Sequence, residues 1–203
     1  MPPMTSQWKW SDIDLSECSS TAPSEVPDTA GIYIWRVKVG ADLDPYVTTS
    51  DFIKLLQKQL ERPTGVLPKS LLGTTVQIGE IAIGGGKLSP EKTDFISEQY
   101  GTHQSRTNMM KFCQTLDQFA PVVYVGKSLN LKTRISQHLQ GQTDLKDYVY
   151  SALHRQWKDL YLSYLELPKD HVSEDQEVTN RLLGVLEMVA QLALAPHGVK
   201  RKG

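Results

Sequence analysis

The sequence predicts an α/β fold of the α+β kind: a small three-stranded sheet, mixed or antiparallel, flanked by helices and interrupted by a large insertion of mixed structure. Three observations predict it. Runs at 29–39, Val122–Val125 and Tyr161–Leu167 alternate or are β-branched, as strands are. Amphipathic stretches with polar capping residues stand between and after them. Roughly eighty residues, 40 to 120, separate the first strand from the second and carry a periodicity of their own.

Composition narrows the class. A chain of 203 residues can bury a real core, and 39% hydrophobic with 22% charged residues describes a soluble globular protein. A net charge of −1 and a pI near 6.5 lack the basic excess usual in nucleic-acid binders, although a local basic strip binds phosphate on an otherwise acidic surface. Cys18 and Cys113 supply neither a disulfide framework nor a closed zinc site. The opening Met1-Pro2-Pro3-Met4-Thr5 lacks the regions of a signal peptide, and the most apolar stretch, Leu182–Ala195, is broken by Glu187 and Gln191. The expectation is a cytoplasmic protein with no membrane partner.

In chain order, residues 1–28 read as an extended arm punctuated by prolines, with Trp8, Trp10 and Ile13 as anchors. From 29 to 39 a strand places Ile32, Ile34 and Arg36 on one side and Tyr33, Trp35 and Val37 on the other. Gly31 within it signals a bulge or a close backbone approach. In the insertion, Ser50 or Asp51 caps a helix whose apolar face is Phe52, Leu55, Leu56 and Leu60, and Pro63 stops it. Thr74–Ile83 reads as a strand and Gly84–Gly86 as a flexible loop. Neither Gly86-Lys87 nor Gly126-Lys127-Ser128 makes a phosphate loop, because Ile81 and Pro121 stand where the first glycine is required. A helical region then covers Asp94–Phe119, with His103, Arg106 and Lys111 as candidate DNA contacts.

Past the second strand, Gly126 breaks the run, Lys127-Ser128 turn the chain, and Ser128 or Asn130 caps a helix. Arg134 and His138 are four apart, hence on one face of that helix. Asp144–Trp157 reads as helix with Leu145, Tyr148, Val149, Ala152, Leu153 and Trp157 inward, and Tyr161–Leu167 is the third strand. A capping-box pattern at Ser173–Gln176 opens a long helix running to about Ala195. Glu187 is the only formally charged residue between Arg181 and Lys200, set among Val185, Leu186, Met188 and Val189. A carboxylate in such company is paired, metal-bound or turned to water.

Tyr124, Lys127, Arg134 and His138 thus gather a phenol, an ammonium, a guanidinium and an imidazole in one strand–turn–helix unit, which suits an anionic substrate such as a phosphodiester. Gly31-Ile32-Tyr33 and Tyr124-Val125-Gly126, in that order, resemble the two signature tripeptides of the GIY-YIG nuclease family. Lys127, Ser128, Leu131, Arg134 and His138 are similar to the helix that follows the second tripeptide. The resemblance covers 29–36 and 121 to about 196, and the long insertion departs from compact members.

What the resemblance implies is a mainly antiparallel GIY-YIG-like domain over 29–203 that cleaves DNA, or RNA, as a metal-dependent endonuclease; a restriction or defence role suits a free-standing enzyme this small, and repair or homing-type cleavage fits the core equally well. Tyr33, Tyr124, Arg134, His138 and Glu187 would be catalytic, with Gly126, Lys127, Ser128 and Lys132 binding substrate. Glu187 would hold Mg²⁺, for which Mn²⁺ substitutes. Tyr33 would be or position the general base, its phenolate favoured by Lys127 and the metal, and Gly184 would leave room for a ligand beside Glu187. A single site per chain implies a homodimer or two successive nicks. The family's Asn after the long helix is missing: Pro196 is followed by His197 and a basic end. That departure motivates the alternative of an inactive nucleic-acid-binding module on the same fold.

Overall fold

A computed structural model of the chain describes residues 10–16, 20–61, 65–67, 81–83 and 86–194. In chain order the strands and helices are β1 (Trp10–Asp14), β2 (Gly31–Val37), α1 (Thr49–Glu61), β3 (Gly65–Leu67), β4 (Ile81–Ile83), α2 (Pro90–Gln99) and α3 (His103–Thr115). After them come β5 (Val122–Ser128), α4 (Leu131–Leu139), α5 (Asp144–Asp147), β6 (Leu160–Glu166) and α6 (Gln176–Leu194). The α+β class holds, and the main sheet is antiparallel throughout, in the order β1-β6-β2-β5.

The sheet has four strands rather than the expected three. Residues 10–14, expected in an extended arm, pair along β6 and form one edge. Charge rather than apolar area secures this edge. Arg36 Nη2 donates to Asp12 at 2.8 Å, the Ser163 hydroxyl donates to the same carboxylate at 2.5 Å, and the Lys38 ammonium is paired with Asp14. Exposed carboxylates on an outer strand also discourage further pairing. Ile13 and Leu15 reach the core, whereas Trp8 lies outside the described residues.

β2 is buried on both faces, as its alternation predicts. Tyr33, Trp35 and Val37 pack with Leu131, Ile135 and Val149 on the α4 side, and Ile32 and Ile34 pack with Val125 and Leu183 on the α6 side. Gly31 is a close approach, not a bulge. A Cβ there would lie 2.3 Å from the Leu165 carbonyl oxygen, and the register shift falls between Trp35 and Arg36. Gly126 does not end its strand: β5 continues to Ser128, pairing Gly126 with Tyr33.

The insertion packs round its own cluster of Leu43, Phe52, Leu56, Ile96 and Cys113. Thr48, not Ser50 or Asp51, caps α1, its hydroxyl accepting from the Asp51 amide at 3.2 Å. Leu60 is 40% exposed, so the α1 apolar face ends at Leu56. The helical region expected over Asp94–Phe119 is made of α2, α3 and a short 3-10 turn at Leu116–Phe119; the chain turns at Gly101, and Thr102 caps α3 by accepting from Ser105 N. Arg106 is buried there. It donates to the carbonyls of Pro45, Tyr100 and Gly101, which makes it an internal brace and removes it as a DNA contact. Of the strand expected at Thr74–Ile83, only Ile81–Ile83 falls among the described residues, paired with β3; Gly84 and Gly85 lie outside them.

After α5 the helix widens into a π turn over Tyr148–Ala152 and ends before Trp157, shorter than expected. Leu145, Val149, Leu153 and Trp157 are nevertheless all buried. Asp175 accepts from the Glu177 amide at 2.8 Å and so starts α6, two residues past the expected Ser173 cap.

Candidate functional site

β5 is the second edge strand of the sheet among the described residues, and α4 and α6 pack on its opposite faces. Asn130 caps α4, its side chain accepting from the Thr133 amide at 2.8 Å. That fixes the rotation of α4, turning Ile135 and His138 into the core beside Tyr33 and Trp35. Because Tyr33 faces Gly126 and Trp35 faces Tyr124 across the β2–β5 register, the two tyrosines share the α4 side, their rings stacked 6.1 Å apart at 28°. Gly126 makes this possible. A Cβ at that position would stand 2.4 Å from the Tyr33 hydroxyl oxygen and 2.8 Å from Tyr124 Cε1.

A chain of hydrogen bonds runs through the cluster. Tyr33 Oη is 2.7 Å from His138 Nε2, and His138 Nδ1 is 2.6 Å from Thr143 Oγ1. Arg134 Nε donates to Tyr33 Oη at 3.4 Å, and Arg134 Nη1 donates to Gln137 at 3.2 Å. One tautomer satisfies every group: Tyr33 accepts from Arg134 and donates to Nε2, while Nδ1–H donates to Thr143. Burial pushes the His138 imidazole down to about 3, helped by the Arg134 charge, so it stays neutral at physiological pH. Burial likewise pushes the Tyr33 phenol well above its ordinary value, with Tyr124 adding to the effect. Burial works against the Arg134 charge, the Tyr33 and Tyr124 hydroxyls work for it, and the net shift is upward.

The remaining residues sit differently. Lys127, opposite Ile32 in the register, faces α6, where its ammonium donates to the Asn180 carbonyl and to Asn180 Oδ1, both at 2.9 Å. It is therefore engaged with α6 and does not favour a Tyr33 phenolate. Gly184 leaves room for this same ammonium, which a Cβ would meet at 3.2 Å, rather than for a ligand. Glu187 is half-buried. Burial raises its carboxyl, and the charges of Lys127 and Arg134 pull in the opposite direction. Among the described residues no hydrogen bond or ion pair holds its carboxylate. Ser128 folds back as a turn, accepting from Asn130 N at 3.0 Å, and Lys132 Nζ stands 3.9 Å from Asp28. Both lie at the start of α4, away from the aromatic cluster. A separate groove of about 630 Å³ at the far end of α6, lined by Trp10, Arg36 and Phe119, contains none of these residues.

Thus Tyr33, Tyr124, Gly126, Arg134 and His138 converge on one side of β5, while on the other Lys127 is bonded to Asn180 and, like Arg134, acts on Glu187 through its charge. Thr143 and Asn180 escaped sequence reasoning. Thr143 lies five residues after His138, just past the end of its helix, and Asn180 lies one turn before Gly184; nothing local marks either. Pro196, His197 and the basic end lie outside the described residues. Among the described residues no three His, Cys, Asp or Glu side chains converge; at the β5 edge the carboxylate within the field of Lys127 and Arg134 is Glu187, a lone ligand if a cation binds there. That fits Mg²⁺, which commonly takes one or two carboxylates together with substrate phosphate and water. No helix among the described residues is long and apolar enough to cross a membrane. The chain matches no protein-family model, no curated protein and no solved structure.

Proposed function

We propose that this chain is a metal-dependent DNA endonuclease of the GIY-YIG kind, acting in the cytoplasm. The observation that carries the reading is the β5 edge, where a hydrogen-bonded Arg134–Tyr33–His138 chain and a half-buried, unbridged Glu187 come within one another's field. Glu187 would hold Mg²⁺, which when bound polarises phosphate and acidifies water. Arg134 answers the charge that grows on the phosphoryl oxygens. Tyr33 and His138, both held neutral, act as the frame that aims Arg134. Passing a proton from Tyr33 to His138 would create an imidazolium that its burial opposes, so we assign Tyr33 orientation and not a phenolate base.

A plasmid-cleavage assay with Mg²⁺ or Mn²⁺ tests this. Wild type cuts, Glu187→Ala loses at least about 10³-fold, and Tyr33→Phe, which leaves Arg134 unaimed, loses on the order of 10²-fold. Cutting that survives Glu187→Ala would overturn the metal-ligand role. A second reading, a binding module without turnover, is favoured by the lone carboxylate and by Lys127 and Lys132 standing beside their own partners. It predicts DNA retained in a shift assay and left intact with either metal.

A further inference from the structure

The groove at the far end of α6 has the sheet itself as its floor. Asp12, Ser163 and Ile34 form one row across β1, β6 and β2, with Arg36 and Val122 beside them, and Ala193 and Leu194 line the groove from α6. Trp10 and Phe119 enter it from opposite edges of the sheet, β1 and the turn before β5, and are 43% and 78% exposed. The floor is bonded on one side only. Arg36 Nη2 and the Ser163 hydroxyl both donate to Asp12 Oδ1, and Arg36 Nε donates to Ser163 at 3.1 Å. Among the described residues Arg36 Nη1 and Asp12 Oδ2 carry no hydrogen bond, which leaves a donor and an acceptor on one ion pair.

We infer, on the reading that nucleic acid is the substrate, that this groove holds an unpaired base of a single-stranded segment beside the cut. The pairing edge of every base sets an acceptor next to an N–H, which the open Arg36 N–H and Asp12 oxygen match, and every base has a π face for Trp10 or Phe119. A volume of about 630 Å³ lies within the range of sites that take small ligands. A duplex hides both features of its bases, the edge in pairing and the face in stacking. A free mononucleotide suits the groove less well. Arg36, the one cation among the lining residues, is already neutralised by Asp12 and leaves nothing to hold a phosphate. In a strand the phosphates stay outside, and the groove opens on the sheet face that carries Lys127 and Glu187. Trp10, Leu165, Ile32 and Lys127 form one cross-strand row, and Leu194 lies about 10 Å along α6 from Glu187.

Fluorescence anisotropy of a labelled strand of about 12 nucleotides, in EDTA so that nothing is cut, tests this. Phe119→Ala and Trp10→Ala each weaken strand binding about tenfold or more, the loss of one stacked base, and leave binding of the blunt duplex unchanged. Phe119 is exposed, so its truncation does not disturb folding, and circular dichroism checks Trp10→Ala. A strand carrying iodouracil cross-links on irradiation to Trp10 or Phe119, as mass spectrometry of the adduct shows. A wild type that binds no strand, a Phe119→Ala variant that binds it as wild type does, or a cross-link mapped elsewhere overturns the inference. Equal binding of dAMP and of the strand makes the groove a free-nucleotide site and overturns the strand as its source. Cleavage is a separate outcome. A chain that cuts plasmid while both variants bind the strand normally remains a nuclease without this groove, whereas groove-dependent strand binding without cutting leaves the groove and removes the nuclease.

Discussion

The two faces of the sheet at β5 are built on opposite principles. On the α4 side, Tyr33, Trp35 and His138 are almost wholly buried, and Tyr33, His138 and Thr143 bond to one another in sequence. On the α6 side, Lys127 and Glu187 are half-exposed; the ammonium makes two bonds to Asn180, and Glu187 is linked to its surroundings by field alone. A low-dielectric interior strengthens hydrogen bonds and penalises charge, so the packed face holds neutral groups in fixed geometry. Arg134 at the rim of the packed face, and Lys127 and Glu187 on the open face, carry the charged groups. If the site acts on a phosphodiester, as proposed, it needs both: rigid aim for a guanidinium, and a carboxylate free to take a cation.

The strongest way to break that comparison is pH. The unfolded chain takes up a proton on the His138 imidazole near its ordinary 6.5 and the folded chain only near 3, so unfolding binds protons throughout that interval. The stabilisation from a neutral His138 is fully present above pH 6.5 and is lost as pH falls toward 3, at up to about 1.4 kcal/mol per pH unit. Urea denaturation of wild type from pH 7 to 4 shows this slope, and His138→Gln flattens it. An equal slope in the variant would mean that the packed face does not hold its imidazole neutral.

Gly126→Ala presses on the same face from the strand side. The new Cβ overlaps the Tyr33 hydroxyl and the edge of the Tyr124 ring, both set by neighbours that cannot retreat far. Overpacking of this kind costs about 1 to 3 kcal/mol, and displacement of Tyr33 loosens Arg134 as well. The midpoint of urea unfolding falls and, if the site cleaves DNA, turnover falls with it. A variant as stable as wild type would show the aromatic cluster to be softer than its distances imply.

Sequence patterns revealed the packed face better than the open one, for a physical reason. Tyr33 and Trp35 follow a period of two and Arg134 and His138 a spacing of four, and both survive folding because backbone geometry imposes them. The opposite holds for β1. Its Trp-Ser-Asp-Ile-Asp run looks like a polar arm because its stabilising partners, Arg36 and Lys38, lie more than twenty residues away and act through charge. Gly126 read as a strand breaker because local sequence cannot show the tyrosine ring against its Cα. Asn180 was invisible for the same reason, since its importance comes from Lys127, fifty-three residues earlier. The caps at Thr48 and Asp175 were each missed by a few residues, as several polar side chains there compete for the same amides.

The smallest effect is the one that tests whether the faces are independent. Asn180→Ala removes one of the two bonds to the Lys127 ammonium and leaves the carbonyl bond in place. Asn180 is exposed, so water takes over the lost contact and stability changes by no more than about 0.5 kcal/mol. The ammonium, then less tightly held, is free to move toward Glu187, which draws that carboxyl back toward its ordinary value, a change seen by NMR titration of the glutamate side chain. The His138 imidazole signals stay where they are, because the sheet stands between them and the change. Should those signals move, or stability drop by 2 kcal/mol or more, then β5 transmits strain from α6 to the tyrosine pair, and the site must be treated as one coupled unit.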